Sequence, residues 1–268
     1  MFSKRKIAAL VAEFLGTGIL AFVVLTISRS QIGIPYFVAM AAGMAVVVTG
    51  LALQRDVQLN PAYTLALWTG RRISTLKAVL FIAVQLLGGL SAYLLFKYFS
   101  RGEVQALPTA YDERLLVAEA LGAFAFAFIA AGALYQRLHF FVRAAVTGGA
   151  YAIGVWVASA ASQGAFINPA VALANNSWSW STFVLGPVLG AIIGVNLYGL
   201  LFAPRAEAAA DKTNDEFNST KAAKAAIVKQ NIEEDKKAVP AGRLTKIEKA
   251  TKVAKEDKAR KAAKKSKK

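Results

Sequence analysis

Two asparagines and two glutamates carry most of the chemistry this sequence offers. Asn60-Pro61-Ala62 and Asn168-Pro169-Ala170 each lie between apolar stretches, and each opens a short uncharged segment. Glu13 and Glu119 sit inside apolar runs, within Ala12-Glu13-Phe14-Leu15-Gly16 and Ala118-Glu119-Ala120-Leu121-Gly122. An asparagine side chain accepts through its oxygen and donates through its amide nitrogen. It therefore orients an oxygen-bearing solute and breaks no bond. The 268 residues contain no cysteine, which excludes disulfides and thiolate metal sites. The single histidine, His139, lies between Arg137 and Arg143 and reads as a solvated interface residue. With no nucleophile–base pair and no His/Asp cluster, the expectation is a non-enzyme with no cofactor and no metal.

Each Asn-Pro-Ala reads as the start of a helix. Asparagine is a preferred N-cap, proline suits the first helical position, and alanine lets two helix ends approach closely. The first segment, PAYTLALWTG, ends on Gly70, a candidate C-cap. The second, PAVALANN, runs into two asparagines. Neither is long enough to cross a bilayer. Polar helix starts at membrane depth are tolerated only where protein or a watery cavity surrounds them.

The elements that must position these residues follow from hydropathy. The chain is 56% hydrophobic with mean hydropathy +0.44, yet its formal charge is +16. These values are reconciled by a division near Pro204. Residues 1–203 hold 13 Lys/Arg and 6 Asp/Glu; residues 204–268 hold 19 and 10. The first part reads as a membrane domain and the second as a soluble tail. Apolar runs at about Ile7–Ile27, Ile34–Leu53, Leu76–Phe99, Leu115–Tyr135, Val142–Ala161 and Ser181–Ala203 predict six spans. The first is too long for a signal-peptide core and reads as a retained span. Lys4, Arg5, Lys6, Arg55, Arg71, Arg72, Lys77, Arg137, Arg143 and the basic tail fall on one side, which predicts cytoplasmic termini.

The two Glu positions are 106 residues apart and the two Asn positions 108. Such agreement predicts a duplicated three-span unit, with repeats at about 7–99 and 115–203. Because three is odd, the second copy enters from the opposite side, and the halves are inverted. Two half-helices then dip in from opposite faces, and their positive dipole ends converge at mid-membrane. Such a point favours neutral, oxygen-bearing solutes and repels cations. The fold class expected is all-α: six transmembrane helices plus two re-entrant half-helices.

On these features the chain resembles the aquaporin and glycerol-facilitator (major intrinsic protein) family. The resemblance covers about residues 7–203: six spans, both Asn-Pro-Ala motifs, the Ala-Glu-x-x-Gly repeats, and Gly186-Pro187 opening span 6. It implies a homotetramer with one pore per subunit, selective by pore width, lining donors and electrostatic barriers. It also implies that Glu13 and Glu119 accept hydrogen bonds from the re-entrant loops, the reading preferred for two carboxylates at matching membrane positions.

Most members carry an arginine directly after the second motif; this chain has Val171. Counting back from Asn168 sets the other filter positions at Ala165 and Trp156, and Ala42, beside Gly43, is placed on span 2. A filter of Ala42, Trp156, Ala165 and Val171 has one indole donor and no fixed charge. It implies either a wider pore for solutes such as glycerol or urea, or a dry, poorly conducting constriction.

Gly88-Gly89 and Gly186, Gly190 and Gly194 predict close helix packing. Asn175-Asn176-Ser177 matches a glycosylation sequon too short to carry weight. The tail, rich in Ala, Lys and Glu, reads as unpacked. Its partners would be anionic lipid headgroups before nucleic acid, since its basic end lacks stacking aromatics. The functional expectation is a passive channel for small neutral solutes or water in a cell membrane. The alternatives are an ion- or proton-coupled secondary transporter and a non-conducting scaffold whose tail binds partners.

Overall fold

The computed structural model describes residues 4–31, 34–53, 57–102, 104–105, 111–161 and 164–203. The tail beginning at residue 204, and Arg55, lie outside the described residues. Among them every regular element is helical: α1 Lys4–Ser28, α2 Pro35–Ala52, α3 Pro61–Thr69, α4 Thr75–Ser100, α5 Glu113–Tyr135, α6 Phe140–Ala158, α7 Pro169–Ala174, and α8 Gly186–Phe202. A π-helical turn, Trp180–Leu185, leads into α8. Six of these elements are long and apolar enough to span a membrane, the sixth comprising the π-turn with α8. The short ones, α3 and α7, are not.

Local chemistry sets the helix starts. Pro35 opens α2, the Ser74 hydroxyl accepts from Lys77 N ahead of α4, and the Asp112 carboxylate accepts from Arg114 N and Leu115 N ahead of α5. Spans end within a few residues of the hydropathy limits, because polar or turn-forming residues flank the apolar runs.

The two halves repeat one packing scheme. α1 packs on α4 as α5 packs on α8, and α2 against α6 joins the halves. Glycines set the spacing at equivalent points. A methyl group at Gly88 would lie 2.5 Å from the Phe14 carbonyl oxygen, and one at Gly190 would run into the Ala120 carbonyl. Those two carbonyls belong to the residues directly after Glu13 and Glu119. Between the halves, a methyl at Gly43 would sit 2.7 Å from the Gly148 oxygen. Small residues thus bring backbones together where hydrophobic burial cannot, since lipid is as apolar as the helices. The opposite faces carry large apolar side chains, such as Ile7, Val11, Leu15 and Ile19 along α1, all exposed. A multi-pass membrane protein follows.

Candidate functional site

The two short helices meet head to head. Asn60 is extended (φ −151°, ψ 115°), and its Oδ1 accepts from Ala62 N at 2.9 Å and Tyr63 N at 3.4 Å. Asn168 has nearly the same backbone (φ −151°, ψ 111°) and accepts from Ala170 N at 3.0 Å. Asn60 Nδ2 donates to the Ile167 carbonyl at 2.9 Å, and Asn168 Nδ2 donates to the Leu59 carbonyl at 2.8 Å. Each motif therefore fastens the other loop. The sequence suggests amide donors pointing freely into a cavity. Instead each amide spends a hydrogen on the opposing backbone, and the Asn168 side chain also meets the Tyr151 hydroxyl. Asn60 is 1% exposed and Asn168 0%.

The residue before each asparagine is strained. Leu59 (φ 56°) and Ile167 (φ 50°) occupy the left-handed region, an unusual conformation for a bulky residue and more so for a β-branched one. The turn aims both carbonyls at the opposite loop, and buried carboxylates hold it in place. Glu13 accepts from Gln58 N at 2.7 Å, Leu59 N at 2.9 Å and Gln85 Nε2 at 2.7 Å. Glu119 accepts from Phe166 N and Ile167 N, both at 2.7 Å. Gln85, buried in α4, also donates to Thr64 Oγ1 at 2.9 Å and so ties the first half-helix to its supporting glutamate. Sequence reasoning did not pick out Leu59, Ile167 or Gln85. The first two were findable, since they precede Asn at matching repeat positions; Gln85 has no counterpart signal.

Of the four filter positions inferred from the sequence, Ala42, Ala165 and Val171 are buried. Trp156 is not among them. It is 40% exposed, shares an outward face of α6 with Ile153 and Val157, and stacks on Tyr36 with ring centroids 5.5 Å apart. The placement by counting is thereby corrected. Residues 159–167 separate α6 from Asn168, and such a connection does not preserve helical phase. The neighbouring Val155 is the buried one.

A cavity of ≈ 420 Å³ opens near the face at which α1 begins, called here the amino-terminal face. Tyr63 and Gln58, next to the first motif, lie at its deep end; Arg72, Lys77, Arg137 and Arg143 line it further out. Arg72 lies 3.6 Å from the centre of the Tyr135 ring and Lys77 4.8 Å from that of Phe81. Four cationic side chains around one mouth raise the local potential and oppose entry of cations.

At the other face, Arg29 Nη2 donates to the carbonyls of Gln105 at 2.8 Å and Asn175 at 3.1 Å. The Ser28 hydroxyl donates to Asn175 Oδ1 at 3.1 Å. The end of α1 thereby clasps the end of α7. Asn175, first residue of the sequon, is buried and spends its amide on the Val171 carbonyl at 3.0 Å. His139 is exposed beside Phe141, their rings 5.7 Å apart.

Comparison with known proteins gives one consistent result. The family described as Major intrinsic protein matches residues 1–198. Aquaporin Z of Photorhabdus laumondii is 27% identical over 75% of this chain and 99% of its own length. Aquaporin NIP1-1 of Zea mays is 30% identical over 73% of this chain and 75% of its own. Among solved structures, the aquaglyceroporin from Plasmodium falciparum superposes with a TM-score of 0.60 at 17% identity, over 74% of this chain and 98% of that one. At that identity the structural likeness concerns the fold alone.

Proposed function

Since this chain belongs to the major intrinsic protein family, and is thereby a channel for water or small solutes, we propose that it passes small neutral solutes, glycerol- or urea-like, with or without water. The route runs between the two half-helices past Asn60 and Asn168. The observation that carries this reading is the reciprocal bonding of Asn60 to Ile167 O and Asn168 to Leu59 O. It joins two positive helix ends in one buried place, and a vestibule lined by four cations opens on its amino-terminal side. Both features disfavour cations and leave neutral solutes as the class admitted. Relatives named aquaporin and aquaglyceroporin support water and glycerol as the first solutes to try.

Val171 stands where most members carry an arginine. It contributes neither donors nor charge, so discrimination against cations would fall to the helix ends and to Arg72, Lys77, Arg137 and Arg143. The competing reading of a coupled secondary transporter needs titratable coupling groups in the membrane. Among the described residues the buried acidic side chains are Glu13 and Glu119, and both are occupied by backbone N–H donors, which speaks against it.

We further propose the cytoplasmic side for the amino-terminal face, a cell membrane as the location, and a homotetramer as the assembly. The first rests on the Lys/Arg asymmetry, the others on the family. Stopped-flow swelling of proteoliposomes with water, glycerol and urea tests the central claim. Flux of glycerol or urea above that of protein-free vesicles is expected. Rapid water flux with both solutes excluded overturns the solute assignment, uphill accumulation under a proton gradient favours the coupled transporter, and zero flux in folded protein favours the scaffold.

A further inference from the structure

Both halves of the fold place a side chain directly after Asn-Pro-Ala. In the second half it is Val171; in the first it is Tyr63, which is 6% exposed. The vestibule at the amino-terminal face is lined by Val46 of α2, Ala130 of α5 and Thr147 of α6, and Tyr63 bounds it. One helical turn deeper on each of those helices, toward the middle of the membrane, stand Ala42, Phe126 and Tyr151. All three are buried, at 0%, 1% and 1% exposure. The Tyr63 ring lies 5.1 Å from that of Phe126, and Phe126 lies 5.2 Å from Tyr151, centroid to centroid. The Tyr151 hydroxyl donates to the Phe166 carbonyl at 3.3 Å and meets the Asn168 side chain. Three aromatic rings, each from a different helix, thus run inward from the vestibule boundary at Tyr63, and the last is anchored beside the second motif.

We infer that the Tyr63–Phe126–Tyr151 stack, rather than the surroundings of Val171, sets the size limit of the pathway. This inference rests on the channel reading above. Rings at these separations are in van der Waals contact, and aromatic pairs of this geometry hold together by about 0.5–1.5 kcal/mol beyond their burial. A solute leaving the vestibule meets this wall before it reaches the asparagine pair, so passage requires a ring to turn aside. Of the three, Tyr63 is the ring that bounds the vestibule, so it is the one a solute meets first. Val171 supplies the contrast: the inverted repeat accommodates a branched aliphatic at the equivalent place, so Tyr63→Val suits the backbone.

The test compares wild type, Tyr63→Val and Tyr63→Val/Phe126→Leu in proteoliposomes, with folding checked by size exclusion and thermal unfolding. Glycerol and urea fluxes are expected to rise at least tenfold in Tyr63→Val and further in the double variant, with a smaller rise for water. If wild type conducts and neither variant changes rate or size limit, the stack is not the limit, while the channel reading stands. If wild type and both folded variants conduct nothing, both readings fall.

A second measurement does not depend on flux, because the native chain has no cysteine. A water-soluble thiol reagent is expected to label Ala130→Cys in the wild-type background. It should label Ala42→Cys only when Tyr63→Val is also present. Equal labelling of Ala42→Cys with and without Tyr63→Val overturns the barrier.

Discussion

Replacing Glu119 tests the mid-membrane architecture most directly. Its carboxylate accepts two backbone N–H groups, Phe166 and Ile167, both at 2.7 Å and all three residues buried. Glu119→Ala leaves two buried donors without a partner, at about 1–3 kcal/mol each, so about 2–6 kcal/mol in total. Relaxation of the loop reduces this, because Ile167 could abandon its left-handed φ of 50°. Relaxation would, however, withdraw the Ile167 carbonyl from Asn60 Nδ2 and move one problem to another. Glu119→Gln is nearly isosteric and keeps one acceptor oxygen. Its amide group faces the second N–H as a donor, so one bond is lost, at about 1–3 kcal/mol. The expected order of stability is wild type, then Gln, then Ala. Equilibrium unfolding in mixed micelles, with denaturing detergent as titrant, measures it. If Glu119→Ala unfolds within about 1 kcal/mol of wild type, the carboxylate does not hold the loop and the account of the strained turn is wrong.

Three further outcomes are expected. Gly190→Ala drives a methyl into the Ala120 carbonyl between α5 and α8; backbones must separate, at about 1–3 kcal/mol for overpacking, read in the same titration, and unchanged stability would contradict the close approach. Val171→Arg adds charge and bulk at a buried position; altered permeability to at least one solute is expected, and permeability unaltered for every solute refutes the assignment of Val171 to the filter. The basic segment beyond residue 204 is expected to bind anionic vesicles in low salt and release them as salt rises, since each basic residue near such a surface contributes about 1 kcal/mol; absence of binding in sedimentation leaves it a solvated tail.

Much of the fold is legible in the chain because the bilayer restricts what a spanning segment can be. Runs such as Leu115–Tyr135 can only be helices there, and the observed α5 begins two residues earlier, at Glu113, where Asp112 supplies the cap. The half-helices were legible for a different reason. Asn60-Pro61 and Asn168-Pro169 are local start signals whose meaning depends on no distant contact, and both helices begin at the proline. Trp156 shows where such reading stops. Its distance from Asn168 is known from the sequence, but the phase of α6 relative to that loop is set by packing of Gly148 on Gly43 and Gly154 on Gly122.

The sequence alone determined the number of spans, the duplication and its inversion, and the identity of the paired asparagines and glutamates. Each is a matter of periodic composition or short-range capping, which operate before any long-range contact forms. Only the tertiary structure decided which atoms the asparagines satisfy, which turn carries strain, and which rings stack behind the vestibule. Asn60 bonds a carbonyl 107 positions away, and Tyr63 meets Phe126 only because α3 and α5 are brought together. A side chain's direction on a helix, and its partner across a membrane interior, follow from how the helices are rotated against one another. Glycines at the crossings set that rotation, and its result is seen only once the helices are assembled.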